Sequence, residues 1–301
     1  MHERNFLALH AARVNGPTPI QVVLYWLAMS GCGVMEMLHG PSIDFLMGEL
    51  LESPAQRHNL SAFDWYEFGL LEGVGTNFSM CMLQQAGMSP HHVFGFDSFQ
   101  GLPASDKKFK TGDWSSKQRI EKKSGKHDLN RDDVMRIVRD NIEFPKVTLI
   151  PGFYNESLQP GLASAHRMRP AFWVNMDADL YVSTMTAYEW LFSNQLMRAG
   201  TLVYYDDVWY YPFGTGESQA HEQISRKYGL KWRPRLAMSR DQVNKHSRTW
   251  WDPAKYAVRE SHPYDFSKSG YSGSIWPRDG SEVGVVLELL TPGPYAPLQS
   301  G

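Results

Sequence analysis

The sequence predicts a doubly wound α/β fold built on a mostly parallel sheet, and three observations predict it. Short apolar or β-branched runs alternate with longer helical stretches from residue 63 onward. A glycine-rich turn follows the first run, and acidic residues end the second, fourth and fifth. Strands that alternate with helices imply βαβ units, whose right-handed crossovers lay helices on both faces of a parallel sheet.

The strands are expected at residues 65–70, 93–97, 147–151, 172–176 and 201–205, followed by 231–237 and 283–290, which makes a seven-stranded sheet. Helical patterns fall between them at 77–86, 131–142, 183–197 and 219–228. The last strand is reached by a long connection and suits an antiparallel edge. Residues 1–60 read as an N-terminal helical extension: 20–29 and 43–51 are apolar-rich, Pro41 and Ser42 are placed like a helix start, and Pro54 like a stop. That extension packs on the main domain or builds a subunit interface, so a homodimer is an open expectation. Residues 61–301 form the main domain, interrupted at about 104–130 by a stretch rich in Lys, Ser, Gly and Asp. Its length fits a lid or binding loop, or a disordered insertion, better than a plain connection.

Bulk properties narrow the function classes. With 42% hydrophobic and 21% charged residues in 301, the chain has the make-up of a globular protein. A net charge of −2 provides no basic excess for nucleic acid. The short runs Lys107, Lys108, Lys110 and Lys122, Lys123 read as a solvated loop and helix face. No apolar run reaches the length of a membrane span, and residues 1–15 lack the features of a secretory signal. Cys32 and Cys81 fit no zinc or redox spacing, so they are expected as separate buried packing residues in a reducing compartment. A cytoplasmic protein with a small-molecule partner is the resulting expectation.

The residues that carry chemistry begin at the turn Gly69-Leu70-Leu71-Glu72-Gly73-Val74-Gly75-Thr76. Glycines between a strand and a helix let the backbone approach a ligand, and the helix start attracts negative charge. Alone, such a turn suits NAD, FAD, another nucleotide or no ligand. Asp97 ends the second strand 22 residues after Gly75, about the offset at which a carboxylate reaches the ribose hydroxyls of a dinucleotide or adenosyl ligand. The fourth strand runs into Asp177-Ala178-Asp179 and the fifth into Asp206-Asp207. Both pairs sit at strand carboxyl ends and should share the crevice of the glycine turn. Carboxylates that close repel unless protons or a cation intervene, and oxygen-only ligands favour Mg2+ over zinc.

Four segments carry a resemblance. Gly-Phe-Asp-Ser-Phe-Gln-Gly-Leu-Pro from residue 95, Pro-Gly-Phe-Tyr-Asn-Glu-Ser-Leu from 151, Met-Asp-Ala-Asp-Leu-Tyr-Val-Ser-Thr from 176, and Tyr-Asp-Asp-Val from 205 resemble the macrocin O-methyltransferase (TylF-type) family over about residues 62–210. The resemblance implies a Rossmann-like class I methyltransferase fold that uses S-adenosylmethionine and Mg2+, often as a dimer, to methylate sugar hydroxyls of macrolide and aminocoumarin antibiotics. It implies cofactor contacts at Glu67, Gly69, Gly73 and Thr76, with Asp97 and Ser98 on the ribose and Gly152 and Phe153 near the adenine. Asp177, Asp206 and Asp207 would ligate the metal, and Asp179 would be the general base. Glu72, an acid inside the turn, departs from the family pattern. So do the aromatic run Trp209-Tyr210-Tyr211 and the last third of the chain.

The chemistry is coherent. A sugar hydroxyl is a weak acid, and a metal on two vicinal oxygens orients it and lowers its proton affinity while a carboxylate takes the proton. Because residues 177 and 179 are separated by one residue, an extended chain would point both side chains the same way. Two other readings compete: a nucleotide-binding oxidoreductase or sugar-nucleotide enzyme on the same turn, and a non-catalytic scaffold, which would need none of the four aspartates. Among the histidines, His91 and His92 read as surface turn residues and His221 with Glu222 as a solvated helix start. His127 and His166 are reserve candidates for the base. The aromatics between Trp232 and Tyr271 read as packing, with stacking on a sugar or polyketide as the alternative.

Overall fold

A computed structural model describes Cys32 and residues 60–85, 87–103, 109–205, 216–239, 264–265 and 282–296. The expected N-terminal extension lies outside the described residues apart from Cys32 and Leu60, as do Asp206, Asp207 and the aromatic run after them.

Eight strands form one sheet in the order β3-β2-β1-β4-β5-β8-β6-β7. They are β1 (Asp64–Phe68), β2 (Val93–Asp97), β3 (Val147–Pro151), β4 (Ala171–Met176), β5 (Leu202–Tyr205), β6 (Lys231–Ser239), β7 (Tyr264–Asp265) and β8 (Glu282–Leu289). The first five run parallel. All residues of β1, β2, β4 and β5 are buried, as expected of strands covered on both faces. The helices are α1 (Val74–Gln85), α2 (Ser116–Ser124), α3 (Arg131–Asn141), α4 (Tyr154–Ser157), α5 (Leu162–Ala165), α6 (Tyr181–Ser193) and α7 (Gly216–Tyr228). This is the expected doubly wound, mostly parallel sheet, with its seven strands extended by the two-residue β7.

The placement of β8 corrects one expectation. It is antiparallel but not at the edge: it pairs with β5 on one side and β6 on the other. Val286, Leu287 and Leu289 are almost fully buried, so the apolar run fills an interior slot and leaves the outer positions to β6 and β7.

Alternation along the strands sends side chains into two cores. Tyr66 and Phe68 join Phe96, Val174, Met176 and Tyr188 on one face. Trp65 and Trp173 stack at 5.3 Å on the other, among Phe78, Leu83, Val134 and Val138. Residues 109–130 are ordered, and α2 is capped by Ser115, whose hydroxyl accepts from the Gln118 amide. Helix α3 starts with a capping box between Asn130 and Asp133. The expectation about the cysteines changes here. Cys32 and Cys81 form a disulfide with Cα atoms 5.5 Å apart. They are therefore not separate packing residues, and the inference from their scarcity to a reducing compartment loses its premise. No helix among the described residues is long and apolar enough to cross a membrane.

Candidate active site

The carboxyl ends of β1 to β4 open into a cavity of about 280 Å³. Gly69 and Leu71 line it after β1, Asp97, Ser98, Gly101, Leu102 and Pro103 at the end of β2, and Gly152, Phe153 and Tyr154 after β3. Asp177, Ala178, Asp179 and Ser183 line it after β4, and Trp114 and Arg119 reach it from the insertion.

Gly69 explains why β1 and β4 can end so close together. Its φ is +88°, and a Cβ there would lie 1.8 Å from the Asp177 carbonyl oxygen. The crossing is tied by the Asp177 amide donating to Phe68 O at 3.0 Å and the Gly69 amide donating to Phe96 O at 3.0 Å. A side chain at 69 would separate the glycine turn from the acidic turn.

Asp97 is almost fully buried, and each carboxylate oxygen accepts a backbone amide: Phe99 N at 2.6 Å and Leu71 N at 2.7 Å. Burial pushes its carboxyl up to about 6, and the amides from Phe99, Leu71 and Leu70 hold that rise in check. Asp97 thus joins the β1 turn to the β2 turn and still borders the cavity. The phenol of Tyr154 donates to Phe96 O at 3.4 Å. Burial first, then the charges of Asp97, Asp177 and Asp179, hold it protonated well above the ordinary tyrosine range.

Asp179 has a φ of +58°, so the chain from 177 to 179 is not extended. The two aspartates reach one cavity because the backbone turns between them, not by strand alternation. Glu217 on α7, fully buried, accepts from the amides of Ala178 at 2.9 Å and Asp179 at 3.1 Å and holds that turn. Sequence reasoning passed over Glu217, as nothing near residue 217 announces a partner at 178–179.

Of the expected cofactor residues, Gly69, Asp97, Ser98, Gly152 and Phe153 share the cavity; Glu67, Gly73 and Thr76 do not line it. Glu67 lies on the Trp65 face of β1, where it accepts from Trp65 Nε1 at 2.7 Å and Asn175 Nδ2 at 2.8 Å. Strand alternation turns it away from the turn it precedes. A Cβ on Gly73 would meet Ile142 at 2.9 Å, so this glycine serves the packing of α3. Thr76 is buried in the first turn of α1. Glu72 accepts from Arg119 Nε at 3.0 Å and Lys123 Nζ at 2.8 Å, which docks α2 on the glycine turn. Lys123 is thereby an ion-pair partner as well as part of a solvated face.

The histidine expectations change too. His221 is not solvated but fully buried, with Nδ1 2.7 Å from the Tyr205 hydroxyl; burial pushes its pKa down to about 3. His92 Nε2 lies 2.8 Å from the Thr148 hydroxyl. His166 sits edge-on to Phe94, near the amino end of β2, and His127 is exposed; neither lines the cavity. Among the described residues no group of three His, Cys, Asp or Glu could hold a metal.

The sequence pattern of the TylF macrocin O-methyltransferase family matches residues 60–246. The chain belongs to that family. The match spans the glycine turn, the insertion, both acidic pairs and α7. Among solved structures, the chain is similar to the O-methyltransferase NovP at 20% identity and a TM-score of 0.38, covering 55% of this chain and 64% of NovP. It is similar to the calicheamicin methyltransferase CalS11 at 15% identity and a TM-score of 0.40, over 74% and 82%. The O-methyltransferase TomG from Streptomyces achromogenes is similar at 12% identity and a TM-score of 0.39, over 88% and 90%. The chain thus spans less than two thirds of NovP's length. No curated protein matches it.

Proposed function

We propose that the chain is an S-adenosylmethionine-dependent O-methyltransferase acting on a hydroxyl of a sugar or glycosylated small molecule. The observation that carries this is one cavity lined by the buried Asp97 carboxylate and by Asp177 and Asp179, with Gly69 packed directly against the Asp177 backbone. The residues fit the cofactor: a buried acid suits vicinal ribose hydroxyls, and Gly152 and Phe153 border the same cavity, where a purine would lie.

S-Adenosylmethionine, when bound, supplies a methyl group on a sulfonium; the chain's own task is to orient an acceptor oxygen and remove its proton. Asp179 is the group assigned to take that proton, held by Glu217 at the turn after β4. Asp177 fits a divalent cation as one ligand. Asp206 and Asp207 follow directly on β5, whose Tyr205 pairs with Met176, the neighbour of Asp177, and they complete the proposed set. Mg2+ there would orient two acceptor oxygens and lower their proton affinity.

The test is calorimetry of S-adenosylhomocysteine against NAD, with and without Mg2+, followed by transfer of labelled methyl groups to a panel of deoxysugar nucleotides and glycosylated macrolides. Binding of NAD but not of S-adenosylhomocysteine would overturn the methyltransferase reading. Transfer unaffected by chelation would remove the metal and leave the rest.

A further inference from the structure

Trp114 is out of keeping with its surroundings in two ways. It is one of three large hydrophobic residues exposed among those described, 50% accessible, although it lines the cavity. Its φ is +59°, a left-handed conformation that is an outlier for a bulky residue. Strained backbone of this kind persists where neighbours over-determine it and collects at ligand clamps.

The neighbours do over-determine it. The Leu102 amide donates to Asp113 O at 2.9 Å, and the Gly112 amide to Leu102 O at 3.0 Å. On the other side, the Ser116 hydroxyl donates to Leu71 O at 2.9 Å, and the Lys117 amide to Phe99 O at 3.3 Å. The residues flanking Trp114 are thus bonded to the loops after β1 and β2, where Asp97 and Ser98 face the cavity. None of these bonds goes to the β4 turn that carries Asp177 and Asp179. Trp114 is thus anchored beside the loops that carry Asp97 and Ser98, away from the turn proposed for the acceptor.

We propose that Trp114 is a stacking platform for the adenine of the adenosyl cofactor, so that the insertion provides a wall of the nucleoside subsite. The inference rests on the S-adenosylmethionine reading above. A purine on the indole face would cover the exposed surface and give the strained turn a purpose. Base–aromatic stacking of this kind changes affinity by roughly five- to one-hundred-fold.

The test is calorimetry on the full chain with S-adenosylhomocysteine and with 5′-methylthioadenosine, which keeps the adenine and ribose and lacks the amino acid. Trp114→Ala should weaken both ligands by a similar factor in that range, while Trp114→Phe stays within about threefold of the native chain. Both ligands should quench tryptophan fluorescence in the native chain more than in Trp114→Phe, a readout independent of how the alanine variant folds. Unchanged affinity in Trp114→Ala, or equal quenching in the two proteins, overturns the proposal. Loss for S-adenosylhomocysteine alone overturns it as well, by placing the indole at the amino-acid end. If the native chain binds neither ligand, the cofactor reading itself has failed.

Discussion

At residue 69 the smallest side chain would already collide with the Asp177 backbone just past β4. Gly69→Ala should therefore abolish S-adenosylhomocysteine binding and lower the melting temperature, both readable by thermal shift with and without ligand. Asp97 acts through charge instead of shape. Its carboxyl is pushed up to about 6 from 3.8, so between those values the native chain keeps a proton that the unfolded chain has lost. Asp97's contribution to stability consequently falls as pH rises across that window and is level above it. Ligand affinity runs the other way, because ribose hydroxyls donate to the charged form. S-Adenosylhomocysteine affinity should drop as pH falls through about 6, and Asp97→Asn should bind at least about tenfold more weakly with that step absent. Calorimetry from about pH 5 to about pH 8 checks both; a native-like profile in the asparagine variant would assign the ribose contact elsewhere.

At the scale of elements, strands β2 and β3 fall on the expected residues, and β1, β4 and β5 shift by only one or two. Those runs are dense in Val, Phe, Trp and Tyr and are bounded by turn residues, so local pattern and tertiary demand agree. The insertion is different. Helix α2 is strongly polar, and besides the buried Ile120 and the Ser116 and Lys117 bonds it is held by Glu72, an acid that in sequence looks misplaced within the glycine turn. Glu72→Ala should cost about 1–2 kcal/mol, chiefly through Arg119, because Lys123 is largely exposed and screened. Limited trypsin digestion should then cut at Lys117, Lys122 or Lys123 in the variant and spare them in the native chain without any ligand. Equal cleavage of the two would show that Glu72 does not dock α2.

At the scale of the whole molecule, the disulfide ties Cys32, within the N-terminal region, to α1 across 49 residues. On the chain-entropy view a loop of that length restrains the unfolded state by up to about 4 kcal/mol. Reductant, or the paired change of Cys32→Ser with Cys81→Ser, should lower the melting temperature by several degrees. Alkylation without reductant should label neither cysteine; labelling of both would mean the bridge is not formed. The sheet order has a consequence on the same scale. With β3, β2, β1 and β4 adjacent and parallel, their carboxyl ends form one line, along which Asp97 and the Asp177–Asp179 turn share a single cavity.

The sequence by itself determined the α/β class, the family and the acids that follow β2 and β4. Those features are written locally, in strand periodicity, in glycines where a turn is needed and in carboxylates at strand ends. The alternation of β1 places Glu67 on the Trp65 face, and tertiary structure supplies Asn175 as its second partner there. It alone decided that β8 fills an interior slot, that Glu217 holds the Asp179 turn from 38 residues away, and that Trp114 stands at the cavity. Each of these depends on segments brought together across long stretches of chain, and no local pattern of residues encodes such a meeting.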